Sequence, residues 1–259
     1  MASGKQSKRR RAGARAAPPP VQRKGERRAA SSKVLIAVGL LIVLIGAAVG
    51  VALAVSGGSS SSPSSSTRLA KASEVQRLFG GIPQRGNVLG SPRAPVTMIE
   101  YIDLQCPGCQ AFETQLFPSL VPRFVRTGKL KVEARPIAFI GPDSQRGRLA
   151  GLAAARQNKF FNFAELLYFN QGPENSGWLD DGMVKAAAAS IPGVHVPKLL
   201  ATRNSVSIAE QAKTYDLAAN EDRVSETPTI LVGKTGGKAQ KIAVSMEAIA
   251  AAIAEALRR

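Results

Sequence analysis

From Val34 to Val55 the chain runs twenty-two residues without a charged or strongly polar side chain (VLIAVGLLIVLIGAAVGVALAV), and no other stretch constrains its architecture as much. A helix needs about 20 apolar residues to cross the hydrocarbon core of a bilayer, so the segment predicts one transmembrane helix. It divides the chain in two. Residues 1–33 carry 11 Lys and Arg against the single acid Glu26, a net of +10, whereas Gly, Ser and Pro follow the apolar run. Cytoplasmic flanks hold the excess of positive charge. That makes residues 1–33 a basic, disordered cytoplasmic tail and puts everything after the helix outside. A cleaved signal peptide is the competing reading, because Ala52, Leu53 and Ala54 resemble a small-residue cleavage site. The length of the apolar run, against about 7–15 residues for a signal core, favours a retained anchor.

The formal charge of +17 would by itself point to nucleic acid or an anionic surface. Most of it sits beside the apolar span, where it acts as topology determinant and headgroup contact. The remaining 24 basic and 17 acidic residues leave +7 for the rest of the chain, and no nucleic-acid partner is expected. Residues 56–67 are almost wholly Ser and Gly, a composition that buries no apolar surface and behaves as a flexible tether. Folding is expected from 68 to 259.

Two cysteines are present, Cys106 and Cys109, in the run Cys106, Pro107, Gly108, Cys109. A tetrahedral zinc site needs four ligands; with His195 as the one further soft ligand, no metal is expected. Pro95 to Asp103 (PVTMIEYID) reads as a buried strand leading into the cysteines. Residues 107–126 read as a helix that Pro118 and Pro122 should kink or end early. Leu130 to Ile137 is a second strand. From about 143 to 222 the pattern is helical, broken at Gly172 and Pro173 and at Pro192 and Gly193. A hairpin follows, Thr229 to Gly233 and Ala239 to Val244 around Gly236 and Gly237, then a helix from Ser245 to Leu257. This order is the plan of an α/β thioredoxin-like fold with an all-helical insertion.

The attacking species in disulfide exchange is the thiolate. A helix N-terminus lowers a thiol pKa through its unpaired N–H groups and dipole, and Pro107 suits the first helical position. Cys106 is therefore the expected exposed nucleophile and Cys109, one turn on, the shielded resolving thiol. A structural disulfide is the alternative.

Residues 84–113 (QRGNVLGSPRAPVTMIEYIDLQCPGCQAFE) resemble the entry of bacterial disulfide oxidases of the DsbA type, especially the membrane-anchored ones of Gram-positive bacteria. The likeness rests on Ala94 to Thr97, an acid six residues before Cys106, the Asp103 to Cys109 pattern and Phe112. It extends over about 84–259. It implies an extracytoplasmic enzyme that forms disulfides in exported proteins and a quinone-linked membrane protein that re-oxidises it. It also implies Thr227 and Pro228 as a cis-proline loop that pairs with substrate backbone by strand addition. The acid at this spacing is Glu100, which could shuttle the proton of Cys109 if buried, or could face solvent or pair with an Arg. Asp103 is expected to cap the loop or the helix start.

One departure stands out. The best-known oxidases carry His at the second position between the cysteines, where this chain has Gly108. Glycine cannot hold a thiolate as a protonated His does, so a less acidic Cys106 and a less oxidising disulfide are expected. Oxidase activity is the leading reading; a reductase or isomerase of the same fold, and a non-catalytic peptide-binding module, are the alternatives. His195 reads as surface or turn, Trp178 and the Phe160, Phe161 and Phe163 cluster as core, and Lys234 to Lys238 as a hairpin turn.

Overall fold

The computed structural model describes residues 68–258; the expected cytoplasmic tail, transmembrane helix and tether lie outside them. Among the described residues no helix is long and apolar enough to cross a membrane. Helix α1 (Ala72–Phe79) turns Ala72, Val75 and Phe79 inward, the three- and four-residue spacing of one helical face. Two-residue strands β1 (Gln84–Arg85) and β2 (Val88–Leu89) form a hairpin through Gly86 at φ 59°.

Strand β3 (Val96–Ile102) is the centre of the sheet. Its alternation sends Val96, Met98, Glu100 and Ile102 to one face and Ile99 and Tyr101 to the other. Helix α2 begins at Pro107–Ala111 and continues through Phe112–Leu116, Phe117–Leu120 and Val121–Val125. Of the two outcomes expected at Pro118 and Pro122, a kink or an early end, the early end does not occur, since the helix runs on to Val125. The amide of Phe117 bonds to the Phe112 carbonyl and that of Arg126 to the Val121 carbonyl. These i→i+5 turns widen the helix where a proline lacks its donor and its ring would meet the carbonyl four residues back.

Strand β4 (Leu130–Pro136) runs parallel to β3. Five helices then fill the interval before the next strand: α3 (Pro142–Ala155), α4 (Phe160–Phe169), α5 (Asp181–Ala189), α6 (Val196–Thr202) and α7 (Val206–Glu221). Helix α4 is buried from Phe160 to Tyr168 and apolar except for Asn162 and Glu165, close to what a core helix shows. Strand β5 (Thr229–Lys234) lies antiparallel to β3 and pairs in turn with β6 (Gln240–Ile242). The sheet order is β1-β2-β4-β3-β5-β6. Ser245 starts α8 (Met246–Arg258) by accepting the Ala248 amide at 3.1 Å, and Ile249, Ile253 and Ala256 form its inner face. The fold is thioredoxin-like α/β.

Three minor expectations fall on described residues. His195 is exposed and caps α6, its Nδ1 accepting the Lys198 amide at 3.1 Å. Phe160, Phe161 and Phe163 are core, with Trp178 packed at its margin. Gly236 at φ 80° turns the β5–β6 hairpin, where the Gly237 amide bonds to the Lys234 carbonyl.

Candidate active site

Cys106 occupies the N-cap of α2 in extended conformation, with Pro107 as the first helical residue. Its Sγ donates to the Thr227 carbonyl at 3.3 Å. The Thr227–Pro228 peptide is cis and leads directly into β5. Cys106 is buried, at 8% exposure, and is not the exposed thiol expected; burial pushes its thiol up, but hydrogen bonds win. The Cys109 thiol, the Thr227 hydroxyl and the backbone amides of Cys109 and Gly108 bring its pKa down from 9.0 to about 6. Such values run to about 3.5 in DsbA and about 7 in thioredoxin, so Cys106 lies between them. Cys109 is wholly buried, its sulfur accepting the Asp103 amide at 3.5 Å. Burial and the charge that develops on Cys106 push its thiol well above the usual range.

Gly108 packs under the Thr227–Pro228 turn. A Cβ there would lie 3.2 Å from the Thr227 carbonyl oxygen and 3.4 Å from Pro228 Cδ, so a side chain at position 108 would require the turn to give by a few tenths of an ångström.

Behind the cysteines the sheet face carries Glu100. It is buried, neither carboxyl oxygen has a hydrogen-bond partner, and no arginine reaches it. Burial pushes its pKa to about 8, since removing a carboxylate from water without compensation favours the neutral acid. Two further buried acids adjoin it, Glu113 on α2 and Glu165 on α4, and neither is among the expected site residues. Each carried a signal. Glu113 sits between Cys109 and Phe117 in a series of inward residues four apart, and Glu165 is the single acid in the apolar run of α4.

Asp103 caps the loop rather than the helix start. Its Oδ1 accepts the Gln105 amide at 3.0 Å, and its Oδ2 accepts the Phe139 and Ile140 amides at 2.7 and 3.1 Å. The buried Gln105 carboxamide donates to Ser144 Oγ and Asn175 Oδ1 and accepts the Asn175 amide. The loop entering Cys106 is thus tied to the loop after β4 and to the loop after α4. All Gln105 side-chain hydrogen-bonding groups are used, which fixes the backbone one residue before Cys106.

A thiol lowered at a helix N-terminus, a shielded second thiol one turn on and an adjoining cis-proline turn form one constellation. A family model described as thioredoxin matches residues 84–255. This chain belongs to the thioredoxin family. Within that family its likeness is to disulfide-forming members. It is 29% identical over 147 residues to a probable disulfide bond formation protein D of Bacillus cereus, covering 56% of this chain and 68% of that protein. The oxidised BdbD of Bacillus subtilis superposes with a TM-score of 0.60 at 25% identity, over 69% of this chain and 98% of that one. The DsbA of Chlamydia trachomatis, at 22% identity and a TM-score of 0.57 over 66% of this chain and 91% of that one, shares the fold. The chain is a DsbA-type thiol-disulfide oxidoreductase acting on protein disulfides.

Proposed function

We propose that this oxidoreductase works outside the cytoplasm, held to the membrane by the helix at 34–55, and donates its Cys106–Cys109 disulfide to exported proteins. The observation that carries the reading is the contrast between the two thiols, Cys106 lowered to about 6 and Cys109 buried and raised. A substrate thiolate attacks Cys106 Sγ, the Cys106–Cys109 bond breaks, and the electron pair stays on Cys109. A second substrate thiolate attacks the substrate sulfur of the mixed disulfide and releases Cys106 as a thiolate, which its hydrogen bonds accommodate. Thr227 and Pro228 offer backbone for an extended substrate segment, Pro107 sets the helix start and Gly108 leaves room for the turn. Glu100 supplies the proton that Cys109 needs inside the core. A quinone-linked membrane protein restores the disulfide.

Trapping tests the reading: in cells a Cys109→Ala variant should accumulate mixed disulfides with exported proteins, and an absence of adducts would refute it. Gly108 favours a second reading, isomerase or reductase, because no side chain there adds a positive charge beside Cys106. The reduction potential separates the two directions.

A further inference from the structure

Glu113 and Glu165 take no part in the reading above, yet they are 3% and 1% exposed in the same dry core as Cys109. Glu113 follows Cys109 by four residues on α2, so the two side chains share a helix face. Its carboxyl group is hydrogen-bonded to that of Glu165, while one oxygen of each remains without a partner. A hydrogen bond between two carboxyl groups requires a proton between them, because two carboxylates offer acceptors alone. None of the ion pairs among the described residues includes Glu100, Glu113 or Glu165. Nor is any group of three or more His, Cys, Asp or Glu side chains among them arranged to hold a metal ion. Glu100 from β3 faces both acids, and Tyr168 from α4 faces Cys109, Glu113, Asp103 and Glu100 together; its hydroxyl donates to the Asp103 carbonyl at 3.1 Å.

We propose that Glu113 and Glu165 are a proton-sharing carboxyl pair that, by way of Glu100, passes a proton to Cys109 when the disulfide opens and takes it back when Cys109 attacks a mixed disulfide. The inference rests on the reading of Cys109 as the resolving thiol. When substrate attacks Cys106, the electron pair of the broken bond leaves Cys109 as a buried thiolate. One acid of the cluster gives up its proton, Cys109 becomes neutral, and the carboxylate left behind accepts the hydrogen bond of the acid that keeps its proton. Charge moves from a sulfur held by the long Asp103 amide contact of 3.5 Å to a carboxylate that accepts a carboxyl proton. In the reverse direction the carboxylate takes the Cys109 proton as its sulfur attacks Cys106. Glu100, next to both acids and without a partner of its own, is the third site over which the proton can be held.

The test follows opening of the disulfide in full-length protein in detergent, with dithiothreitol as the attacking dithiol and rapid-quench thiol labelling as the readout. After correction for dithiothreitol ionisation, the wild-type rate should fall at the pH where the cluster loses its last transferable proton. Glu165→Gln keeps a hydrogen bond to Glu113 but carries no proton to share. It should slow the step at neutral pH by about tenfold or more and move the fall about two pH units lower, because a donating amide stabilises the Glu113 carboxylate. Glu165→Asp should recover part of the rate. Superimposable pH profiles for wild type, Glu113→Gln and Glu165→Gln would overturn the relay. If the variants fail to fold, the infrared spectrum of the oxidised wild type decides: a protonated-carboxyl band that changes on reduction is required, and its absence near neutral pH would overturn the proposal. A wild-type protein that dithiothreitol does not open at Cys106 at all would instead defeat the reading of the cysteines.

Discussion

Titrating the reduced protein through the Cys106 thiol connects the site geometry to the direction of electron flow. With a pKa of about 6, Cys106 is about 90% thiolate at pH 7, where an ordinary cysteine is a few per cent. Stabilising the thiolate stabilises the reduced state, and a tenfold change in that equilibrium corresponds to about 30 mV for a two-electron couple. Against a thiol of pKa about 7, as in thioredoxin, the gain at pH 7 is roughly fivefold, or about 20 mV. Against one of about 3.5, as in DsbA, the shortfall is roughly 300-fold, or about 70 mV. Starting from about −270 mV for thioredoxin and about −120 mV for DsbA, the two steps bracket this disulfide at roughly −250 to −190 mV. Ultraviolet thiolate absorbance against pH gives the pKa, and equilibration with glutathione gives the potential. The Cys109 thiol makes the largest lowering contribution, so Cys109→Ala should move the inflection upward. An inflection below about 4 or above about 8 would refute the hydrogen-bond account, since the donors around Cys106 would then count for far more or far less than their arrangement allows. A potential near −120 mV with an inflection at about 6 would break the link between thiolate stability and oxidising power.

Glu100 should make the protein less stable as pH rises, because its folded-state pKa of about 8 lies above the ordinary 4.5. The penalty is absent below the lower value, grows between the two and is complete above the higher one. Glu100→Gln is expected to stabilise the fold at pH 7 by about 3 kcal/mol, and thermal melts of both proteins that stay parallel from about pH 5 to 8 would count against it. Asp103→Ala strips the acceptor from the Gln105, Phe139 and Ile140 amides; a loss of about 3 kcal/mol or more is expected in urea unfolding, and a loss under about 1 kcal/mol would show that the three loops hold without it. Gly108→Val drives a side chain against Thr227 and Pro228, so the melting temperature should drop by about 2–4 °C for roughly 1 kcal/mol, together with slower reaction of Cys106 with peptide thiols. An unchanged rate would mean the turn opens freely.

Local chemistry made the centre of this site legible. A β-branched strand, a proline at the first helical position and two thiols one turn apart can be read from neighbours in sequence, as can the helical run between β4 and β5. What escaped depends on long-range packing. Strands β1 and β2 have two residues each, too few to display a period. In α2 the inward residues Cys109, Glu113, Phe117, Val121 and Val125 recur every four. On a regular helix of 3.6 residues per turn such a series drifts by about 160° over its length. Two i→i+5 turns, each taking in about one extra residue, bring it back to one face. Glu113, one step along the series, stays on the face of Cys109 at either pitch; the wider turns keep Val121 and Val125 on that face too, and the carboxyl group that meets Glu113 comes from α4, far off in sequence. Prolines that could have ended the helix therefore coincide with turns that hold its later residues on one inner face. A proline near a buried polar residue in an otherwise apolar series marks a helix whose pitch, and hence whose inner face, has changed.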